Sequence, residues 1–515
     1  MARGIDRRRF LKAMSLLPLL STLGGEGHVA RAPVEGQADA GTPNVIVLLF
    51  DTLSARHLGL HGYHRNTAPN LARFAERATV YHRHYSAGNF TTPGTASLLT
   101  GTYPWTHRAL HHSGIVIEKY APRNLVRFLD ATHTPILYPH NLWADLLVQQ
   151  FRADGDRYLP PGEFSLADLT FPDRLFARDA DIAFRSFEDL LFRRISLPGS
   201  LFLSLANKLQ IDLYSSVRQD LADLYPRGVP SLGIYPVFFL LEQVIDGIQA
   251  LLDGVRQPFL AYLHLFPPHE PYCPRREFVG VFADGWTPVA KPPHPLGAGR
   301  PQAALDRWRT EYDEYIAFVD AEFGRLLSFL EERGFLDDGY LVITSDHGQL
   351  FERGVHGHDT DLLYEPVIHV PLLISRPGQQ QREDVNAPTS SVDLLPTLLD
   401  ALGRPIPAWC EGQVLPATRG EEAGSSRAIY AVEAKRNAAH QPLHTGTVAL
   451  IRDRYKLIHY LGNPGFEDTF ELYDLVSDPD ELENLYTSRG SIAGDLQREL
   501  AAKLGEVNQP YFSQR

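Results

Sequence analysis

Two acidic residues stand where apolar strands run out. Asp51 closes Asn44-Val45-Ile46-Val47-Leu48-Leu49-Phe50, and Asp346-His347 closes Leu341-Val342-Ile343-Thr344. A carboxylate leaving a wholly apolar strand is costly to bury unless something pairs with it. A divalent cation is the natural partner, and carboxylate plus imidazole ligation suits Zn²⁺ or Mn²⁺. Taken singly, Asp51 reads as a helix cap or a solvated loop residue; together the three read as metal ligands. Proton chemistry can come from His269, in Leu265-Phe266-Pro267-Pro268-His269-Glu270-Pro271-Tyr272, and from His356-Gly357-His358 on a Gly-rich loop. An imidazole with an ordinary pKa of ~6.5 can protonate an alkoxide leaving group. Exposed loop histidine is the competing reading, since the chain holds 21 histidines. His107, His111, His112 and His140 also fall near strand ends and stay unassigned. A last feature is the run Phe90-Thr91-Thr92-Pro93-Gly94-Thr95-Ala96-Ser97-Leu98. It reads as a helix start, whose free N–H groups and dipole favour an anionic group.

These groups need strands that deliver them to one side. After Gly41, apolar strands alternate with amphipathic helices, the pattern of a mostly parallel α/β sheet covered on both faces. In such open sheets functional groups gather beyond the carboxyl ends of strands. Asn44–Phe50, Phe259–Phe266, Tyr340–Thr344 and Pro371–Ser375 read as buried strands. Thr67-Ala68-Pro69-Asn70 reads as a helix start. Tyr315, Phe318, Val319, Phe323, Leu326, Leu327 and Leu330 make the stripe of a long helix, with Gly334 placed to stop it. Residues 150–256 break the rhythm with Pro160-Pro161, Pro198-Gly199, Pro226 and Pro230. Phe238, Leu241, Ile245, Ile248 and Leu252 recur at helical spacing there. We read 150–256 as a helical insertion packed on the sheet; a lid for a lipid-like or glycan substrate is the sharper alternative. After Gly403, short strands at 428–432, 448–451 and 455–460 and a helix near 494–504 predict a smaller α+β subdomain. The expected organisation is therefore a 41–403 catalytic domain and a 404–515 C-terminal subdomain.

Five ordered motifs resemble the sulfatase family of the alkaline phosphatase superfamily. Asp51-Thr52-Leu53 is similar to its first metal-binding strand end, and Thr344-Ser345-Asp346-His347-Gly348 to its T-S-D-H-G element. Thr91 to Gly101 resembles the nucleophile turn C-x-P-S-R-x-x-L-L-T-G, Ser391 to Leu398 the V-D-L-x-P-T-L helix, and Leu472 to Glu481 the L-Y-D-L-x-x-D-P-x-E tail. The resemblance covers roughly Pro43 to Leu485. It implies the superfamily's α/β fold and one divalent ion held by Asp51, Thr91, Asp346 and His347, with Zn²⁺ or Mn²⁺ favoured and Ca²⁺ admitted. It also implies a catalytic His269, whose loop is similar to the family's P-H-x-P-Y; His358, on its Gly-rich loop, is read as the second catalytic histidine, and His356 and Thr92 as substrate-binding. Asp359 and Asp361 are candidates for a second metal, which their spacing does not compel.

Departures from the family pattern carry information. Thr91 stands where sulfatases have a cysteine that is oxidised to formylglycine, and a secondary alcohol cannot become that aldehyde. The second acid is replaced by Thr52 and the motif arginine by Thr95; Lys119 is the nearest candidate for a downstream lysine. The set Asp51, Thr91, Asp346, His347 looks instead like phosphonate monoester hydrolases and lipid-linked phosphotransferases, in the latter of which threonine is the nucleophile. A hydroxyl beside a divalent cation becomes nucleophilic near neutral pH.

Bulk properties set limits. The 515 residues, 44% hydrophobic and 22% charged, suffice for one large core plus a smaller unit. A net charge of −13 argues against a nucleic-acid surface. Cys273 and Cys410 allow one disulfide or two inert thiols and exclude a thiolate cluster. Asp6-Arg7-Arg8-Arg9-Phe10-Leu11-Lys12 closely resembles a twin-arginine export signal, and the apolar stretch after it is too short to span a bilayer. Residues 1–40 are thus expected to be export signal and linker, cut after Ala32 or Ala40, with the export machinery as partner. Retention as a membrane anchor and a basic cytosolic tail are the alternatives. The expectation is a periplasmic or extracellular enzyme that cleaves phosphate mono- or diesters, lipid or glycan linked, through Thr91. A sulfuric ester hydrolase ranks second, and a non-catalytic glycan-binding protein third.

Overall fold

The computed structural model describes residues 41–168, 212, 214–233, 235–416 and 427–512. The arginine run, both cleavage candidates and much of the 150–256 insertion lie outside them.

Eight strands form the main sheet: β1 (Asn44–Phe50), β2 (Thr79–Tyr81), β3 (Thr134–Pro139), β4 (Arg157–Tyr158), β5 (Phe259–Leu265), β6 (Gly339–Thr344), β7 (Leu372–Ser375) and β8 (Glu383–Val385). Their spatial order is β8-β2-β7-β6-β1-β5-β3-β4. Every neighbouring pair is parallel except the two that β7 makes, with β6 and with β2. The strands read as continuous apolar runs because both faces are covered. Alternate β1 residues serve opposite layers. Ile46, Leu48 and Phe50 join a core with helices α1 (Pro69–Ala75), α4 (Leu241–Asp253) and α5 (Gln302–Glu332). Val45, Val47 and Leu49 join a second core with α2 (Thr91–Thr100), α3 (Leu142–Phe151) and α6 (Leu394–Ala401). Each such side chain contributes roughly 1.5–3 kcal/mol when fully buried.

Local signals held at most elements and moved at some. Helix α5 starts at Gln302, thirteen residues before its apolar stripe, and ends just before Gly334, whose φ of +70° suits a left-handed turn. Phe238, read as helical, lies in a short strand, Val237–Phe239, paired with Ser165–Asp168; α4 begins only at Leu241. The described part of the insertion thus contains a β-ribbon as well as a helix. Helix α2 begins at Thr91 itself, within the run read as a helix start.

The C-terminal sheet is an antiparallel meander of β9 (Ile429–Glu433), β10 (Gly446–Arg452), β11 (Tyr455–Leu461) and β12 (Thr469–Asp474), packed with α7 (Gly490–Phe512). Lys456 of β11 is wholly buried; its Nζ lies 3.0 Å from Glu365 Oε1, on the segment between β6 and β7, and also pairs with Glu481. Removing one partner of such a pair would leave a buried charge uncompensated, a cost of about 3–5 kcal/mol. Cys273 and Cys410 are both free, and burial pushes each thiol up to about 11, so neither is reactive. Among the described residues no helix is long and apolar enough to cross a membrane.

Gly94 shows how tightly α2 docks on the main sheet. A Cβ there would stand 2.3 Å from the Asp346 carbonyl oxygen. Gly94→Ala is therefore expected to destabilise by about 3 kcal/mol, the upper end for overpacking. A denaturant titration showing an unchanged midpoint would contradict this close approach.

Candidate active site

Four neighbouring parallel strands, β6-β1-β5-β3, bring their carboxyl ends to one edge. Phe50 pairs in register with Leu265, Leu49 with Thr344, and Pro139 with His264. The residues that end or follow these strands therefore meet. They are Asp51 after β1, His264 within β5, Asp346-His347 after β6 and Asn141 after β3, and all are buried. Thr52, in the left-handed region at φ +64°, turns the chain sharply away from Asp51. A β-branched residue held there is strained by roughly 1–3 kcal/mol. The turn aims its N–H at Asp346 Oδ1, 3.4 Å away, while Tyr312 Oη donates to its carbonyl at 2.6 Å.

Thr91, the first residue of α2, reaches the same edge. Its Oγ1 lies 3.4 Å from His347 Nε2 and accepts from Asn141 Nδ2 at 3.4 Å. The same Asn141 Nδ2 donates to Asp51 Oδ2. Asn141 is itself fixed as the N-cap of α3, its Oδ1 accepting from the Trp143 and Ala144 N–H groups.

The donor set fits a cation. Asp51 Oδ1, Asp346 Oδ2 and His264 Nε2 are buried without hydrogen-bond partners, and one ligand atom from each residue falls within 4.8 Å of the others. His347 Nδ1 lies 3.0 Å from the Gly348 carbonyl, which assigns the ring proton to Nδ1. Its Nε2 lone pair then faces Asp51 Oδ1 and Asp346 Oδ2, each at 3.5 Å. Converging lone pairs of this kind repel one another unless a positive charge sits between them. The proton equilibria carry the same stress. Burial, reinforced by the Asp51 charge, pushes the Asp346 carboxyl up to about 7. Burial also pushes Asp51 upward, but the rings of His264, His269 and His347 outweigh it and hold Asp51 below its ordinary value. Burial brings His347 down to about 4 against the pull of Asp51.

The remaining sequence-derived residues divide. His358 joins the centre: its ring lies 4.3 Å from that of His347 and 4.9 Å from that of His269, and its Nδ1 bonds Gln349 Oε1 at 2.8 Å. Burial, with His347 and His269 next, holds the His358 pKa well below the ordinary value. His269 Nδ1 donates to the Glu270 carbonyl at 2.7 Å, leaving Nε2 free. His356 looks elsewhere, toward Tyr272 Oη at 3.2 Å and Glu270 Oε2 at 3.3 Å, packed on Trp308. The Thr92 hydroxyl is committed to the His112 carbonyl. Asp359 pairs with Lys435 at 2.6 Å and Asp361 with Arg436, so both acids face cations of the C-terminal subdomain. Exposed Lys119 lies over the Tyr120 ring. The sequence reading passed over Asn141 and His264. Each had a signal: a capping residue at a strand-to-helix junction, and a lone polar side chain inside an apolar strand.

Two carboxylates, imidazoles and a hydroxyl at a helix start thus gather beyond the carboxyl ends of parallel strands in an α/β fold. The description "Sulfatase" matches residues 43–154 and 216–404, more than half of the chain, and "N-sulphoglucosamine sulphohydrolase, C-terminal" matches 354–510. The chain belongs to the sulfatase family of the alkaline phosphatase superfamily. Arylsulfatase K of Bos taurus is 32% identical over 312 residues, which are 53% of this chain and only 55% of that protein. Choline-sulfatase of Rhizobium meliloti is 24% identical over 478 residues, 86% of this chain and 82% of that one. In fold, the chain is similar to the phosphonate monoester hydrolase of Agrobacterium radiobacter (TM-score 0.62, 18% identity, covering 90% of this chain and 96% of that one). It is equally similar to a 2-O GAG sulfatase (TM-score 0.61, 18% identity, 92% and 94%).

Proposed function

We propose that this chain is an exported, metal-dependent hydrolase or transferase that cleaves phosphate mono- or diesters through a covalent phosphoryl-Thr91 intermediate. The observation that carries the reading is the placement of the Thr91 hydroxyl, within 3.4 Å of both His347 Nε2 and Asn141 Nδ2 at the carboxylate edge. Asp51, Asp346 and His347 would hold one divalent ion with Thr91, and His264 offers a further donor. Bound there, the ion supplies positive charge that makes deprotonation of Thr91 and charge on the phosphoryl oxygens less costly.

Thr91 Oγ1, its proton released to solvent beforehand, attacks phosphorus in line as the bond to the leaving oxygen breaks. Asn141 Nδ2 points at both Oγ1 and Asp51 and so fixes the attacking atom relative to the carboxylates. The start of α2 behind Thr91 favours the anionic group. A proton on Nε2 of His269 neutralises the departing alkoxide, its Nδ1 being engaged; His358, whose pKa burial holds low, acts as the acid only once the anionic ester beside it favours the imidazolium. Water or an acceptor alcohol then takes the phosphoryl group from Thr91, and which of the two does so decides hydrolase from transferase. His356 is assigned to holding substrate; Thr92, whose hydroxyl is spent on the His112 carbonyl, has no side-chain donor left for that role.

If these histidines are general acids, His269→Ala and His358→Ala should slow alkyl phosphates by ~10²–10⁴-fold while sparing 4-nitrophenyl esters, whose leaving group needs no proton. Equal losses on both substrates would remove the assignment. Sulfate ester cleavage is the second reading, favoured by the names of the relatives. A sulfated threonine would have to be hydrolysed at sulfur, a slow path without help. The metal-loaded protein should be assayed on aryl phosphates, phosphodiesters and aryl sulfates in parallel; release from sulfates alone overturns the preference. Export rests on Arg7-Arg8-Arg9-Phe10-Leu11-Lys12, and a periplasmic fraction lacking the protein would refute it.

A further inference from the structure

A cleft of about 530 Å³ opens beside the reacting centre, bordered by Asn141 and His269. Its walls combine two chemistries. Trp143, Tyr235, Phe266 and Trp308 supply aromatic surface, and Glu270 and Glu311 supply negative charge. No lysine or arginine lines it among the described residues.

Neither carboxylate is closely paired with a buried cation. Glu270 has an imidazole for a partner, His356 at 3.3 Å, instead of a permanent cation. Glu311 is 3.9 Å from Arg307 one turn earlier on α5, and that guanidinium is largely exposed. An exposed pair at this distance is worth little. Aromatic faces present the negative side of their quadrupole, so rings and carboxylates act in the same direction. A cation is attracted and a second anion is repelled. A polyanionic glycan would bring sulfates against Glu270 and Glu311 with no basic side chain to meet them.

We infer that this cleft binds the alcohol portion of the substrate and is built for an alkylammonium group joined to the ester by a short spacer. The ester end lies toward Asn141, which contacts Thr91, and the ammonium end lies among the rings and carboxylates. The inference rests on Thr91 marking the reacting end, and it adds the chemical class of the leaving alcohol: a cationic amino alcohol.

The test reads binding without turnover. Choline and its uncharged isostere 3,3-dimethylbutan-1-ol are titrated into the full-length protein, followed by tryptophan fluorescence and by calorimetry. Choline should bind saturably and at least about tenfold more tightly than the isostere, as expected for a cation desolvated against aromatic faces. The Glu270→Gln/Glu311→Gln pair should weaken choline about tenfold and leave the isostere unchanged, and Trp308→Ala should weaken choline and reduce its fluorescence signal. Equal binding of both alcohols, or no binding of choline, overturns the inference. Choline binding retained in full by the Gln pair and by Trp308→Ala overturns it too. If choline binds as described and phosphoesters go uncleaved, the ammonium subsite stands and the Thr91 reading falls.

Discussion

Thr91→Ala is expected to abolish turnover, by on the order of 10⁴-fold or more, because it removes the atom that bonds to phosphorus. The fold should survive. The change deletes one hydroxyl and one methyl at the first position of α2, where alanine is a good helix former, so stability should move by only about 1 kcal/mol. Thr91→Ser should keep measurable phosphoesterase activity, because it preserves the hydroxyl and alters only its rotamer preference. Intact-mass analysis of wild type quenched during turnover should locate phosphate on Thr91. Residual activity of Thr91→Ala within about tenfold of wild type would eliminate the covalent route, whatever the substrate.

Removing the metal should have the second-largest effect, and it should appear in stability as well as rate. Without a cation, Asp51 and Asp346 share a buried site, and Asp346 titrates near 7 against an ordinary 3.8. Below pH 4 both folded and unfolded chains hold this proton and the group contributes nothing. Between about 4 and 7 the unfolded chain releases it while the folded chain keeps it, so stability falls as pH rises. Above 7 the loss levels off at about a few kcal/mol. Asp346→Asn removes that slope. The metal-free variant should therefore be more stable than metal-free wild type at pH 8 and equal to it near pH 4, while binding metal poorly and turning over nothing. Wild type saturated with Mn²⁺ or Zn²⁺ should regain the loss through mass action. Denaturant titrations of stripped and loaded protein at several pH values would check this; a metal-free wild type with no extra pH dependence over the variant would show that the acids do not share a charge-poor site.

Much of the site was legible because its parts obey local rules. An acid at the end of an apolar strand is conspicuous, and Asp51 and Asp346 fall where their strands end. Thr91 could be found because the turn around it is written in contiguous residues. Asn141 and His264 escaped because their roles depend on register: only the pairing of β3 with β5 and of β5 with β1 sets them beside Asp51. The same blindness affected Asp359 and Asp361, whose partners Lys435 and Arg436 lie some 75 residues downstream. Two motifs that pointed to the family serve architecture. Asp393 accepts from the Ser390 and Gln413 N–H groups and pairs with Arg427. Asp474 pairs with Arg454 at 2.6 Å. The helix with Phe238 at its start was misplaced because a short ribbon claimed that residue, and apolar spacing alone cannot distinguish the two over so few positions.

The ammonium of Lys456 has a last consequence. Its two carboxylate partners come from different places, Glu365 close behind the segment that carries His347 and His358, and Glu481 in the tail beyond β12. Peeling the meander away would strand an ion in an apolar interior and release the loop that bears half of the reactive centre. The carboxyl-terminal hundred residues are therefore no detachable accessory: calorimetry should find a single melting event, and a truncated catalytic half would lose the Lys456 ion pair that braces the segment behind its histidines.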